Sequence, residues 1–111
     1  MNESESLRPL FSVRADDPDI AGDLGDFLLA LTGRIDELQD AHFRGETDVL
    51  SSMARSFARD AEWVGYEILA TAAQRVQYAA DRGKSEEAHS ELVELTELAQ
   101  RARRAHRGSL G

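Results

Sequence analysis

The 111-residue chain contains no cysteine, only two prolines and few aromatic residues. The absence of cysteine excludes disulfide bonds, catalysis by a thiolate and zinc sites built on sulfur. No segment approaches the roughly 20 consecutive apolar residues that span a bilayer, and the stretch NESESLRPLF after Met1 has no apolar run of signal-peptide length. We therefore expect a cytoplasmic protein that does not enter a membrane.

Positive charge is also scarce. Thirteen Lys and Arg residues are set against 21 Asp and Glu residues, which gives a formal net charge of -8. Long-range attraction to nucleic acid or to an anionic membrane is therefore disfavoured. The arginines of the C-terminal run RARRAHRG are interpreted as complements to the negative end of a helix dipole. We expect neither nucleic acid nor a membrane as a partner.

Strand patterns are missing as well, because no alternating β-branched run occurs and Gly and Pro fall at predicted helix borders. The stretch DDPD predicts a helix start, with Asp17 as N-cap and Pro18 in the first helical position. An apolar stripe at helical spacing follows, and Gly33 is predicted to break or kink the helix before a second stripe runs towards Gly45. The two stripes are Ile20, Leu24, Phe27, Leu28 and Leu31, then Ile35, Leu38 and Ala41 or His42.

Three further stripes predict the remaining helices. Gly65 is expected to end or bend the first of these three helices, and Gly83 is expected to end the second. Ser85 with Glu86 and Glu87 is expected to start the third. The stripes are Leu50, Met53, Phe57, Ala61 and Val64; Leu69, Ala72, Val76 and Ala80; and Leu92, Leu95, Leu98, Ala99 and Ala102.

The short connections favour an all-α fold, an antiparallel up-and-down four-helix bundle. We assign residues 16–107 to this bundle, residues 1–15 to a partly ordered N-terminal segment and residues 108–111 to a C-terminal tail. Within the N-terminal segment, four apolar residues are able to lie across one end of the bundle: Leu7, Leu10, Phe11 and Val13.

Arg55 lies in MARSFARDAEWVG, residues 53–65. It projects roughly 150° away from the apolar stripe of its predicted helix, so its guanidinium group is expected in solvent. Ser52, Arg59 and Glu62 share that face. The simplest interpretation is a solvated surface with an Arg59–Glu62 pair, worth a few tenths of a kcal/mol.

Residues 54–83 resemble the signature region of histidine-containing phosphotransfer (HPt) domains. In that family one helix carries A-H-x-L-K-G-x-A-x-x-x-G-x-x-x-L and is followed by an alanine-rich helix that ends in A-x-x-G. The landmarks that match here are Ala54, Ala61, Gly65, Leu69, Ala80 and Gly83. Upstream, IDELQDAHFRGETDVL is similar to the preceding helix and turn, and ADDPDI resembles the start of the first bundle helix. The resemblance covers roughly residues 10–105.

The chain departs from the family at the positions that carry its chemistry. Arg55 stands at the phospho-acceptor histidine, Ala58 at the usual lysine and Arg59 at the usual glycine. A guanidinium group stays protonated in any cellular buffer and has no lone pair to accept a phosphoryl group. The resemblance therefore implies a bundle without phosphotransfer activity, not an enzyme, and no cofactor is expected.

The resemblance also implies a partner, either a response-regulator receiver domain or a histidine kinase. The partner would cover the acceptor position and one turn to either side of it, which here comprises Ser52, Arg55, Ala58, Arg59 and Glu62. Two alternatives stay open. The protein could transfer phosphate through a displaced histidine, His42 or His89, or the bundle could serve an unrelated protein interaction.

The remaining candidates are interpreted structurally. His42 is expected at the edge of the core, His89 on the surface and His106 in the basic C-terminal run, and no pair has metal-ligand spacing. We therefore predict no metal site. Trp63 and Tyr66 are expected at a core edge, with an aromatic anchor in a partner interface as the alternative.

Overall fold

In the computed structural model, residues 8–110 are described, with side chains as far as residue 106. They form one 3₁₀ turn, Pro18–Ile20, and four α-helices, which are α1 (Ala21–Phe43), α2 (Thr47–Trp63), α3 (Glu67–Asp81) and α4 (Ser85–Leu110). Each helix packs against the next, and α4 closes the ring against α1. The predicted four-helix bundle is confirmed, and residues 8–110 contain no strand. None of these helices is both long and apolar enough to cross a membrane.

The chain enters the bundle through the predicted cap. The Asp17 side chain accepts a hydrogen bond of 2.9 Å from the backbone N–H of Asp19, and Pro18 begins the 3₁₀ turn that leads into α1. A hydrogen bond from Arg14 lowers the pKa of the Asp17 carboxyl, and the bond from Asp19 acts in the same direction. The pKa of Asp17 is lower in the folded protein than in the unfolded chain, so these contacts stabilise the fold at pH values above the pKa of the unfolded chain. Their contribution is lost as pH falls through the folded value.

Helix α1 is continuous, so the predicted break at Gly33 is wrong. Leu31 and Ile35 on either side of it are both buried, which shows that the apolar stripe continues in register through the glycine. Gly33 lies on the exposed side of the helix. A glycine in a helix costs about 1 kcal/mol relative to alanine, which is too little to interrupt a helix whose apolar face is covered.

The other three predicted stops are confirmed, and all use the same turn. Gly45, Gly65 and Gly83 have φ values of 71°, 89° and 68°, and each follows the last turn of a helix. The residue after each glycine donates its N–H back to a carbonyl five residues earlier, as Tyr66 does to Ala61 at 2.8 Å. This arrangement is a Schellman motif, in which glycine adopts the left-handed conformation without a Cβ penalty. The connections 44–46, 64–66 and 82–84 are consequently short, and consecutive helices run antiparallel.

The N-terminal segment crosses one end of the bundle. Leu10 is buried and donates its N–H to the carbonyl of Arg101 at 3.2 Å, while Val13 donates to the carbonyl of Gly65 at 2.9 Å. Ser12 is also buried, and its hydroxyl donates to the carbonyl of Val64. Phe11 and Val13 are exposed, so the prediction that they cover the bundle end is wrong. Leu7 lies outside the described residues.

The predicted apolar stripes form the core. Phe57, Leu69, Val76 and Leu95 are at most 1% exposed, whereas Leu24 and Met53 pack at its edge. Helix α4 continues to Leu110, beyond the predicted bundle boundary at 107, so residues 108–110 are helical instead of forming a separate tail. Gly111 lies outside the described residues.

Gly65 provides a test of how the N-terminal segment is attached. A Cβ atom at this position would meet the Ser12 hydroxyl oxygen and would lie 2.8 Å from the backbone nitrogen of Arg14, whereas a Cβ at Gly83 would meet nothing within 4 Å. We expect Gly83→Ala to lower the free energy of unfolding by about 1 to 2 kcal/mol through backbone strain. Gly65→Ala should cost a further 1 to 3 kcal/mol, roughly, because the segment must shift. Urea denaturation followed by circular dichroism measures both, and equal losses would show that the segment does not pack on Gly65.

Candidate functional site

Arg55 lies at the middle of α2 and points into solvent, as the sequence predicts. Ser52, Arg59 and Glu62 are exposed on the same side of the helix. At about 100° per residue, these side chains occupy a narrow outward arc between the contacts that α2 makes with α1 and with α3. We call Ser52, Arg55, Arg59 and Glu62 the docking face.

Ala58 does not belong to this face. It is only 4% exposed and forms part of the core, so its prediction as a contact residue is wrong. Ser51 is buried on the same side of α2, and its hydroxyl donates to the carboxylate of Asp81 in α3. Helix α2 is covered on two sides, and its buried arc is therefore wider than one apolar stripe. A lysine at position 58 would reach solvent only along its methylene stem.

The two arginines of the docking face have no partner within the described part of the chain. Neither guanidinium group makes an ion pair or a hydrogen bond there, and the predicted Arg59–Glu62 pair does not form. The contrast with Arg34 of α1 is clear, because Arg34 donates to Asp60 at 2.9 Å and lies 5.2 Å above the Phe57 ring. The docking face therefore presents two guanidinium groups without a contacting carboxylate among the described residues, together with the carboxylate of Glu62, on a protein whose formal net charge is -8.

Trp63 lies at the end of α2 beside this face, and its placement differs from the predicted core edge. Its side chain is 53% exposed. The indole N–H donates to the Asp23 carboxylate at 2.8 Å, and the guanidinium carbon of Arg14 lies 4.7 Å from the ring centroid. Two polar neighbours thus hold a large aromatic surface in a fixed, half-open position. Tyr66, by contrast, is buried and stacks with Phe27 at 5.9 Å.

Burial fixes the chemistry of Tyr66. The surrounding core raises the pKa of its phenol, because the charged phenolate is poorly solvated there. Tyr66 therefore stays neutral at physiological pH and serves as a core residue with no part in the docking face.

The structure also brings together two histidines that sequence reasoning treated separately. His42 of α1 is half-buried, His89 of α4 is exposed, and their rings stack with centroids 5.5 Å apart. No motif links them, since 47 positions separate 42 from 89 in the sequence. His106 is half-buried elsewhere in α4. Among the described residues, no three His, Cys, Asp or Glu side chains meet as a metal ion would require.

The two arginines of the docking face can bind anions but cannot accept a phosphoryl group. Arginine offers five N–H donors in a planar fork that matches a carboxylate or a phosphate, and it has no lone pair for covalent chemistry. With Trp63 at its end, the face combines charge with an aromatic surface, a composition enriched at binding hot spots.

Comparisons of this chain with protein-family models, with curated proteins and with solved structures found no match. The resemblance to HPt domains therefore rests on the residues quoted for it from the sequence.

The single tryptophan allows the geometry around Trp63 to be tested by fluorescence. Arg14 covers one face of the indole, so Arg14→Ala should increase the Stern–Volmer constant for acrylamide quenching. The matched control is Arg82→Ala, which removes a guanidinium group stacked 5.0 Å from the ring of Tyr78. That control should leave the quenching of Trp63 unchanged. An Arg14→Ala protein that is quenched no more than the parent would show that Arg14 does not cover the ring.

Proposed function

We propose that this protein is a non-phosphorylatable, HPt-like signalling module. It acts in a two-component phosphorelay by docking on a receiver domain or on a histidine kinase, and it carries no phosphate itself. The observation that supports this proposal most directly is that Arg55 and Arg59 are exposed and make no ion pair or hydrogen bond with the described residues. Arg55 stands at the position of the family's acceptor histidine and Arg59 at that of its glycine.

The electrostatics of the pair favour an acidic partner. Arg55 and Arg59 are four residues apart on one helix, and like charges at this spacing destabilise a helix by about 0.2 to 0.5 kcal/mol. A carboxylate placed between the two guanidinium groups would remove that repulsion. Receiver domains, as the family resemblance implies, present an acidic pocket around their phosphorylated aspartate. The docking face fits such a pocket by charge, although the chain as a whole is acidic.

The strength of the contact depends on desolvation. An exposed arginine–carboxylate pair contributes between 0 and about 1 kcal/mol, whereas charge-assisted hydrogen bonds in a dry interface contribute roughly 1.5 to 3 kcal/mol each. Because both arginines lie on one face, a single partner surface can cover them together. Bidentate geometry would then select a carboxylate or a phosphate over other acceptors.

A second candidate function is supported by the stacked histidines. His42 and His89 are both accessible to solvent, and an exposed imidazole is the chemical group that a phosphorelay acceptor requires. The two rings lie where α1 meets α4, and His42 also lines a pocket with Thr47 and Leu50 at the start of α2, away from the middle of that helix. An active phosphotransfer protein built on this pair would thus use a different surface from the docking face.

Charge reversal tests the docking face. We expect Arg55→Glu combined with Arg59→Glu to abolish binding to a cognate receiver domain in isothermal titration calorimetry, because two attractive contacts become repulsive. Helicity and melting temperature should stay nearly unchanged, since neither side chain contacts the core.

A matched control separates the effect of the docking face on binding from the effect of the change in net charge. Arg75→Glu combined with Arg82→Glu makes the same change in net charge on exposed positions along α3 and its C-cap. This control should bind the receiver nearly as well as the parent. If the Arg55 and Arg59 double variant binds as tightly as the control, the docking face is merely solvated surface.

The absence of phosphotransfer is tested by mass spectrometry at neutral pH, which preserves phosphohistidine. After incubation with a phosphorylated receiver or an active kinase, we expect no acid-labile phosphate on this protein. Phosphate on His42 or His89 would overturn the non-catalytic proposal in favour of the second candidate.

In the same assay Arg55→His alone should not restore transfer, because Arg59 still crowds the imidazole. Adding Ala58→Lys and Arg59→Gly is the fuller rescue, at some cost in stability since position 58 is buried.

A further inference from the structure

A cavity of about 380 Å³ opens between α1 and the C-terminal end of α2, next to the docking face. Arg34 and Asp60 lie in its wall and already pair with each other at 2.9 Å. The remaining polar and aromatic groups of the wall are Asp23, Asp26 and Trp63. These three side chains determine what the cavity can bind.

Two carboxylates of the cavity lack a cation. Asp23 accepts the indole N–H of Trp63 at 2.8 Å, but neither Asp23 nor Asp26 makes an ion pair with a described residue. They lie three residues apart in α1, a spacing at which like charges on a helix repel each other. A positive group placed between the two carboxylates would pair with both and remove that repulsion.

Trp63 gives the same cavity an aromatic wall. Its side chain is 53% exposed, and the hydrogen bond to Asp23 holds the indole in place. Arg14 lies 4.7 Å from the ring centroid but does not line the cavity, so part of the indole stays open on the cavity side. Aromatic rings attract cations through the negative potential of their faces, and tryptophan does so most strongly.

Arg14 shows within this chain how such a cation is held. Its guanidinium group lies against the ring of Trp63 and pairs with the carboxylate of Asp17 at 2.8 Å. The cavity offers the same two elements, an indole ring and a carboxylate, without a cation from the described residues to fill them. Because Asp17 already compensates the charge of Arg14, that charge opposes a second cation only weakly.

The wall selects an organic cation over a metal ion. Among the residues described, no three His, Cys, Asp or Glu side chains group as a metal ion would require, and an indole is not a metal ligand. A guanidinium group is planar, stacks on aromatic rings and donates to carboxylates through a fork of N–H groups. An ammonium group is more compact and more strongly hydrated. An arginine side chain therefore fits the cavity best.

We propose that this cavity binds an arginine side chain of a partner protein, which stacks on Trp63 and pairs with Asp23 and Asp26. Trp63 follows Arg59 by four residues, a rise of about 6 Å along α2. A partner that covers the docking face therefore reaches the cavity as well, with an acidic group for the docking face and a basic group for the cavity. That a protein supplies the arginine rests on the proposed docking function, whereas the binding site itself does not.

N-acetyl-arginine amide tests the site in the absence of any partner, because it carries the side chain on an uncharged backbone. The chain has one tryptophan, so its indole N–H resonance reports on the cavity in an NMR titration of the full chain. We expect a saturable shift that high salt weakens. N-acetyl-citrulline amide has nearly the same shape without the charge, and it should bind at least about tenfold more weakly.

Variants of the wall separate this site from general attraction to an acidic protein. Asp26→Asn should weaken binding of the arginine probe about threefold, because one carboxylate becomes neutral. The matched control is Asp36→Asn, which makes the same charge change at an exposed position of α1 outside the cavity and should bind like the parent. Trp63→Leu should weaken binding at least about fivefold. In that variant the backbone amide of Ala30, which lines the cavity, reports binding.

The absence of a saturable shift would overturn the site, as would equal binding of the citrulline probe. Equal losses in Asp26→Asn and Asp36→Asn would also overturn it, and so would unchanged binding by Trp63→Leu. Free arginine that binds more tightly than the capped probe would assign the cavity to the amino acid and overturn the protein source.

Receiver binding tests the source of the arginine directly. In calorimetry with a cognate receiver domain, Asp26→Asn should weaken binding and Asp36→Asn should not. Equal receiver binding by these two variants would overturn a protein source even if the arginine probe binds the cavity. A parent protein that binds the arginine probe but no receiver would refute the docking function and leave the binding site intact, so the two failures are distinguishable.

Discussion

The packing of α2 between α1 and α3 fixes the rotation of α2 about its own axis. This rotation decides which of its side chains reach solvent, and the docking face depends on it. Towards α1, Asp60 accepts from Arg34 at 2.9 Å, and the ring of Phe57 lies 5.5 Å from that of Phe27. Towards α3, Ser51 bonds to Asp81. Only an outward arc of roughly 100° is left between these two contact zones. Arg55 and Arg59 both fall within it, so a modest rotation of α2 would tilt one of them towards a neighbouring helix.

The glycine turns hold this arrangement in register. Each turn ends one helix and starts the next within three residues, which leaves little freedom in how far a helix slides along its neighbour. Gly65 has an additional role because Ser12 and Arg14 pack directly against it. The carbonyls of Trp63, Val64 and Gly65 all accept hydrogen bonds from the N-terminal segment. The end of α2, and with it Trp63, is therefore fixed by a segment distant in sequence.

Most of the fold could be predicted from local patterns, and the errors have physical causes. The positions of the helices follow from apolar spacing, and three of their ends follow from glycines. Both signals involve residues that are close together in the sequence, so the sequence alone is sufficient to predict them. Gly33 was misjudged because a helix covered along its apolar face tolerates one glycine. Ala58 was misplaced because a single stripe cannot show that α2 is buried on two sides. The exposure of Trp63 depends on Asp23 and Arg14, and the stacking of His42 on His89 depends on two helices meeting. Sequence spacing encodes neither contact.

The docking face obeys a different physical rule from the core. It is charged and contributes almost nothing to folding, because Arg55 and Arg59 are exposed and make no ion pair or hydrogen bond within the described part of the chain. Its arginines are therefore expected to be replaceable at little cost in stability. Binding through this face should be fast and sensitive to salt, as electrostatic contacts are. Because an exposed ion pair contributes little by itself, stable binding would require a partner surface that excludes water from both guanidinium groups.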